Sequence, residues 1–255
     1  MSFGIIPDYS DRAVFKNPYI LFGVGLVTGG AFLNWWGRRK VAVDQSLFDP
    51  SAAAGSGENA PLLVAGAVGL KDTALTPAQQ TAFISAIPAH GRKYAPLLLA
   101  SAAKHNVSPV LLAAIMSTET GYGAACKDAA CRGFAGGDYG VMQINKIHKE
   151  FFATKVNGRP AYEDPASSID YGATVLKRDI ATLTRRTDEK GSDLLFAAAA
   201  AYNTGAGNVL KSLKKGKSAD ATTHGGKYAK TVFKEVERIL GEMNAPQGPS
   251  MVAAR

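Results

Sequence analysis

The stretch from Ala113 to Asn145, AAIMSTETGYGAACKDAACRGFAGGDYGVMQIN, constrains the folding of this chain more than any other. It passes from an apolar helix into a carboxylate, then a glycine-rich loop, then a compact polar segment. Ser108-Pro109 predicts the helix start, with serine as N-cap and proline in the first turn. Leu111, Leu112, Ile115 and Met116 supply an apolar stripe at helical spacing, and Gly121 and Gly123 end the helix. Glu119 stands four residues after Ile115 and seven after Leu112, so it projects from the buried face near the C-terminal end. Desolvation and the negative end of the helix dipole both raise a carboxyl pKa there. A carboxyl that keeps its proton near neutral pH can donate it to a leaving oxygen. A glutamate at a helix end is usually just a solvated surface group, so the neighbouring segments must carry the argument.

The segment DYGVMQIN brings Asp138, Tyr139, Gly140, Met142, Gln143 and Asn145 close together. Glycine lets the backbone approach a ligand, while Gln143 and Asn145 offer amides and Tyr139 a ring face, groups suited to sugar hydroxyls and acetamido groups. Taken alone, the segment reads better as a polar turn anchored in the core by Val141 and Ile144. Further helices follow. Asp164-Pro165 opens one through Ile169, Tyr171, Val175, Leu176 and Ile180, and Ser192 is expected to cap another containing LLFAAAAAYNTGAG. Tyr202 and Asn203 fall at the end of that helix, where side chains can reach a cleft. A last amphipathic helix is predicted from Lys227 to Met243, with Tyr228, Val232 and Val236 inward and lysines outward.

Ahead of this helical region the chain has a different character. Residues 1–40 read as a short leader and a membrane-span candidate at residues 18–37, uncharged, flanked by Tyr19 and Trp35-Trp36 and stopped by Arg38, Arg39 and Lys40. The cationic excess on the far side weakly directs the rest of the chain to the cytoplasm. Residues 41–77 are rich in small and turn-forming residues and read as a flexible linker, 78–243 as the helical domain, and 244–255 as a disordered tail.

Composition closes off several classes. A hydrophobic content of 46% with 20% charged residues is that of a globular protein. The net charge of +8 suits an anionic partner: nucleic acid, anionic lipid or an acidic wall polymer. Two cysteines, Cys126 and Cys131, cannot build a multi-disulfide scaffold or a four-thiolate zinc site; they can close one small loop in an oxidising compartment or remain as two thiols. His90, His105, His148 and His224 lack ligand spacing, so neither a metal nor a cofactor is expected. Lys211, Lys214, Lys215 and Lys217 form a basic face without a nucleic-acid recognition motif, so no specific nucleic acid is expected.

The ordered series Glu119-Thr120, Gly140-Val141-Met142-Gln143-Ile144-Asn145, Ala201-Tyr202-Asn203-Thr204-Gly205 and the late Tyr228 resembles the soluble-type (SLT) lytic transglycosylases and the goose-type lysozymes. The resemblance covers roughly residues 92 to 243. It implies a mainly α, lysozyme-like helical domain that acts on peptidoglycan glycan strands. Glu119 would be the single catalytic acid/base at the bond between N-acetylmuramic acid and N-acetylglucosamine, with Tyr228 near its carboxyl. Thr120, Tyr139, Met142, Gln143, Asn145, Tyr202 and Asn203 would bind substrate. Val141 departs from the usual leucine. Thr120 occurs where many transglycosylases have serine and goose-type lysozymes have threonine, so that position leaves the product type open. A transglycosylase would leave 1,6-anhydro ends without consuming water. A hydrolase would want a second carboxylate, for which Asp138 is the candidate with Asp128 behind it. A third possibility is a membrane-associated structural or conduit protein whose domain only binds glycan. A wall-cutting enzyme directed to the cytoplasm would find no substrate there, and delivery from outside as part of a virus particle removes that conflict. The expected setting is a membrane-anchored protein acting in the periplasm or wall, phage-borne, with other virion or envelope-machine proteins as partners.

Overall fold

The computed structural model of the protein describes residues 75–133 and 136–245. The leader, the membrane-span candidate at 18–37, the linker up to residue 74 and the tail from residue 246 lie outside the described residues. Among the described residues no helix is long and apolar enough to cross a membrane.

Eight α-helices and two short hairpins are described. In order they are α1 (Pro77–Ala86), α2 (Ala95–His105), α3 (Pro109–Thr120), α4 (Lys149–Ala153), α5 (Pro165–Arg186), α6 (Gly191–Thr204), α7 (Ala206–Lys214) and α8 (Tyr228–Asn244). Strands β1 (Asp138–Tyr139) and β2 (Ile144–Asn145) pair antiparallel, as do β3 (Lys155–Val156) and β4 (Arg159–Pro160). The helix starts follow local chemistry. Thr76 and Gln79 form a reciprocal capping box on α1. Ser108 accepts from the Leu111 N–H at 3.2 Å on α3, and Asp164 accepts from Ser167 N at 2.8 Å on α5. Each of the three helices begins with proline. The expected cap at Ser192 is a correction: α6 already opens at Gly191, Lys190 is its N-cap, and no side chain caps it.

Helix α3 is the centre of the fold. The single apolar stripe predicted for it is too narrow: every residue from Pro109 to Met116 is buried. A helix apolar on all sides has to be surrounded. Helix α8 packs along α3, α1 and α6, α2 packs on α3 and α5, and α5 packs on α6. The alanines at 197–201 of α6, all buried, let these neighbours approach closely. The C-terminus of α3 is stopped by Gly121 in the left-handed region (φ 56°). Glu119, one residue before that end, is the first position on the helix after Met116 with both a carboxylate and an opening towards solvent.

Candidate active site

Glu119 is half-buried, and the Tyr228 hydroxyl donates a hydrogen bond to its Oε1 across 109 residues of sequence. Burial pushes the Glu119 carboxyl up to about 7; the Tyr228 hydrogen bond opposes this, and the negative charge of Asp138 adds to it. The same burial, with the Glu119 charge, raises the Tyr228 phenol well above its ordinary range, so it remains a donor. Tyr228 is aimed by the start of α8. Asp220 accepts from Ala229 N at 2.8 Å and from Lys230 N at 3.0 Å, and Thr223 Oγ1 accepts from Tyr228 N at 3.3 Å. A buried carboxylate at a helix N-terminus both fills orphan donors and meets the positive end of the dipole.

The β1–β2 hairpin is fastened to the end of α3 through Thr120. Its buried hydroxyl donates to Val141 O at 2.8 Å and accepts from Gly123 N at 3.0 Å. Gly140 turns the hairpin at φ 73°, where a Cβ would lie 2.5 Å from Ser168 Oγ and 2.8 Å from Tyr162 O. Ser168 Oγ also accepts from Met142 N at 3.2 Å. On α5, Gly172 leaves room for Met142 and for the Tyr202 hydroxyl, which donates to Met142 O at 2.9 Å. A disulfide joins Cys126 to Cys131 with their Cα atoms 4.5 Å apart, so the pairing left open by sequence is made.

The site residues expected from sequence divide into three groups. Glu119 and Tyr228 are in direct contact, and Asp138 and Tyr202 are electrostatically coupled to the Glu119 region. Tyr139, half-buried, sits in an aromatic group with Phe152 and Tyr162 at ring separations of 5.2 and 4.9 Å. Asn203 is exposed, and its Oδ1 accepts from His224 N at 3.0 Å. The third group departs from the expectation of a cleft lining. Met142 is fully buried at 0% exposure, and Thr120 is 3% exposed, so their side chains fasten the hairpin instead of facing a ligand. The Gln143 amide nitrogen donates to Cys131 O at 2.7 Å and to Gly140 O at 2.9 Å, which commits it to the loop. Asn145 likewise gives its Nδ2 to Asp138 Oδ1 at 2.7 Å and accepts from Ile147 N at 3.1 Å, bracing the two hairpin ends.

Three residues with clear roles here were not singled out by the sequence. Ser168 holds Met142 N from 26 residues away, which no local pattern announces, and Asp220 aims Tyr228 indirectly through the backbone of Ala229 and Lys230. Asp179 did leave a signal: it is a carboxylate within the apolar stripe of Val175, Leu176, Ile180 and Leu183. It is buried, its carboxyl is pushed up to about 6 by that burial against the pull of Arg178, and its charge is felt at Tyr202. Among the described residues no cluster of His, Cys, Asp or Glu could hold a metal ion.

The tip of α3 thus presents a desolvated glutamic acid to a tyrosine hydroxyl beside a glycine-turned hairpin. The transglycosylase SLT domain model matches residues 96–224, half of the chain, and the chain belongs to that family. It is also similar to the membrane-bound lytic murein transglycosylase C of Haemophilus influenzae strains PittGG, Rd and 86-028NP, at 29% identity over 135 residues. The match covers 49% of this chain and 35% of those relatives, so the chain spans about a third of their length.

Proposed function

We propose that the protein is a peptidoglycan lytic transglycosylase in which Glu119 cleaves the β-1,4 bond between N-acetylmuramic acid and N-acetylglucosamine. The observation that carries this reading is the Glu119–Tyr228 pair: a carboxyl raised to about 7, in the hydrogen-bond reach of a phenol that cannot itself ionise. At neutral pH a large fraction of Glu119 holds the proton that the leaving glycosidic oxygen needs. Once that proton is given up, the Tyr228 hydroxyl stabilises the carboxylate by a charge-assisted bond. The carboxylate then takes the proton from the muramoyl C6 hydroxyl, whose oxygen attacks C1 and closes a 1,6-anhydro ring. The acetamido oxygen of the sugar serves in place of a second enzyme carboxylate. Tyr139, Tyr202 and Asn203 are the side chains left to contact the glycan, with Met142, Thr120 and Gln143 supporting them from behind. The names of the Haemophilus relatives are consistent with this reading.

Hydrolysis is the second reading, favoured by one observation: the Asp138 charge reaches Glu119, so a second carboxylate is within the electrostatic range of the acid. Its Oδ1 is occupied by the Asn145 amide, which favours a bracing role over water activation. Digestion of purified peptidoglycan, with mass analysis of the released muropeptides, separates the readings. Anhydro-muramoyl ends are expected; reducing ends would establish the hydrolase, and no release would overturn both. The setting we propose is a phage particle that delivers the domain from outside the wall, supported by the cationic bias of Arg38, Arg39 and Lys40.

A further inference from the structure

The positive charge of the described domain is confined to one sector. Outside residues 206–234 the described chain holds fifteen lysines and arginines against fourteen aspartates and glutamates. Inside that segment are seven lysines, Lys211, Lys214, Lys215 and Lys217 around the end of α7, Lys227 at the N-cap of α8, and Lys230 and Lys234 on its first half, against the single carboxylate Asp220. All seven lysines are exposed, and among the described residues none of them is in an ion pair. Asp220 offers them no compensation at the surface, because it is 1% exposed and its oxygens are taken by Ala229 N, Lys230 N and the Thr223 hydroxyl.

The two lysine groups are held together by the same bonds. The Ser212 hydroxyl of α7 donates to Ser218 O at 2.7 Å, Ser218 Oγ accepts from Asp220 N at 3.2 Å, and Asp220 in turn holds the first turn of α8. Four linked residues therefore fix α7 and α8 as one display. On α8 Lys230 and Lys234 lie four apart, turned roughly 120° to 160° around the helix from Tyr228, with Lys227 just ahead of the helix as its N-cap and the exposed Glu237 closing the stripe one turn on.

The chemistry of the face narrows its partner. It contains lysines without arginine, so it presents mobile point charges and no planar fork for fixed phosphate geometry. Its phenol and phenyl rings, Tyr228 and Phe233, are buried, which leaves the imidazole of His224 as the exposed ring of the segment, too little for a stacking platform. Ile147, the large hydrophobic residue exposed among those described, belongs to the hairpin region and not to this face. A dense sheet of anionic headgroups asks for charge alone, and clusters of four to eight lysines near such a surface are a recognised means of binding it. We infer that this seven-lysine face is a peripheral docking surface for a bilayer containing anionic phospholipid.

The test uses the full chain in sedimentation with vesicles of phosphatidylcholine containing about one-third phosphatidylglycerol, and with vesicles of phosphatidylcholine alone. Reading the difference between the two removes any apolar association contributed elsewhere in the chain. Wild-type protein is expected to bind the anionic vesicles about ten-fold more tightly or better, with the difference lost near ~0.5 M salt. The combined variant Lys214→Gln, Lys215→Gln, Lys230→Gln and Lys234→Gln should lose that difference, whereas Lys146→Gln with Lys149→Gln, outside the face, should keep it. Unchanged melting of the first variant by circular dichroism excludes unfolding as the cause. Equal binding of the wild type to both vesicles, or a fully retained preference in the four-lysine variant, would overturn the inference. So would tighter binding of duplex DNA than of anionic vesicles at the same salt, which would assign the face to nucleic acid.

Discussion

At the scale of single residues, the chemistry of Glu119 makes a stability demand that can be measured apart from catalysis. Its carboxyl titrates at about 7 in the folded protein against an ordinary 4.5, so the folded state holds the proton that the unfolded chain releases. The sign follows: the stability from this group is fully present below about pH 4.5 and is lost as pH rises through 7. The loss by pH 8 is on the order of 3 kcal/mol. Glu119→Gln cannot ionise and keeps an oxygen for the Tyr228 hydroxyl. Thermal melts should therefore find the variant level with wild type at pH 4 and more stable at pH 8, while its release of muropeptides is abolished. Retained cleavage would remove Glu119 from the proposed role, and a stability difference that did not change with pH would remove the burial argument.

At the scale of elements, the hairpin is the vulnerable part. Gly140→Ala combines a positive φ of 73° with a Cβ 2.8 Å from the Tyr162 carbonyl, a backbone atom that cannot swing away. We expect a loss of more than about 2 kcal/mol in denaturant unfolding, with displacement of Thr120 and Tyr202 from their carbonyl partners on the hairpin. The elements themselves were largely legible: Ser108-Pro109, Asp164-Pro165 and Gly121 are local signals, and local signals set where helices start and stop. The site was less so. Glu119 and Tyr228 could be paired only through a resemblance, because nothing local joins residues 109 apart. Met142, Gln143 and Thr120 look like ligand contacts in sequence, since amide and hydroxyl groups serve a backbone carbonyl as readily as a sugar. The folded hairpin decides which they serve: Thr120 meets Val141 O, Gln143 turns back on Gly140 O, and Met142 is held by Ser168 of α5.

At the scale of the molecule, the Cys126–Cys131 bond ties the loop after α3 to the hairpin. It closes a small loop whose Ala130 and Cys131 carbonyls receive Gly140 N at 2.9 Å and the Gln143 amide at 2.7 Å. Reduction should cost about 2 kcal/mol by release of that loop, and wall cleavage should fall further than the melting temperature alone would predict. Parallel melts and digestions with and without dithiothreitol measure both; equal activity would show that the loop does not support the hairpin. The burial of α3 on every side carries a different consequence, for how such a protein can change over generations. A helix with no free face tolerates few replacements of any size. New substrate preferences must then arise in the turns and hairpins around Glu119, while the twelve residues that carry the acid stay much as they are.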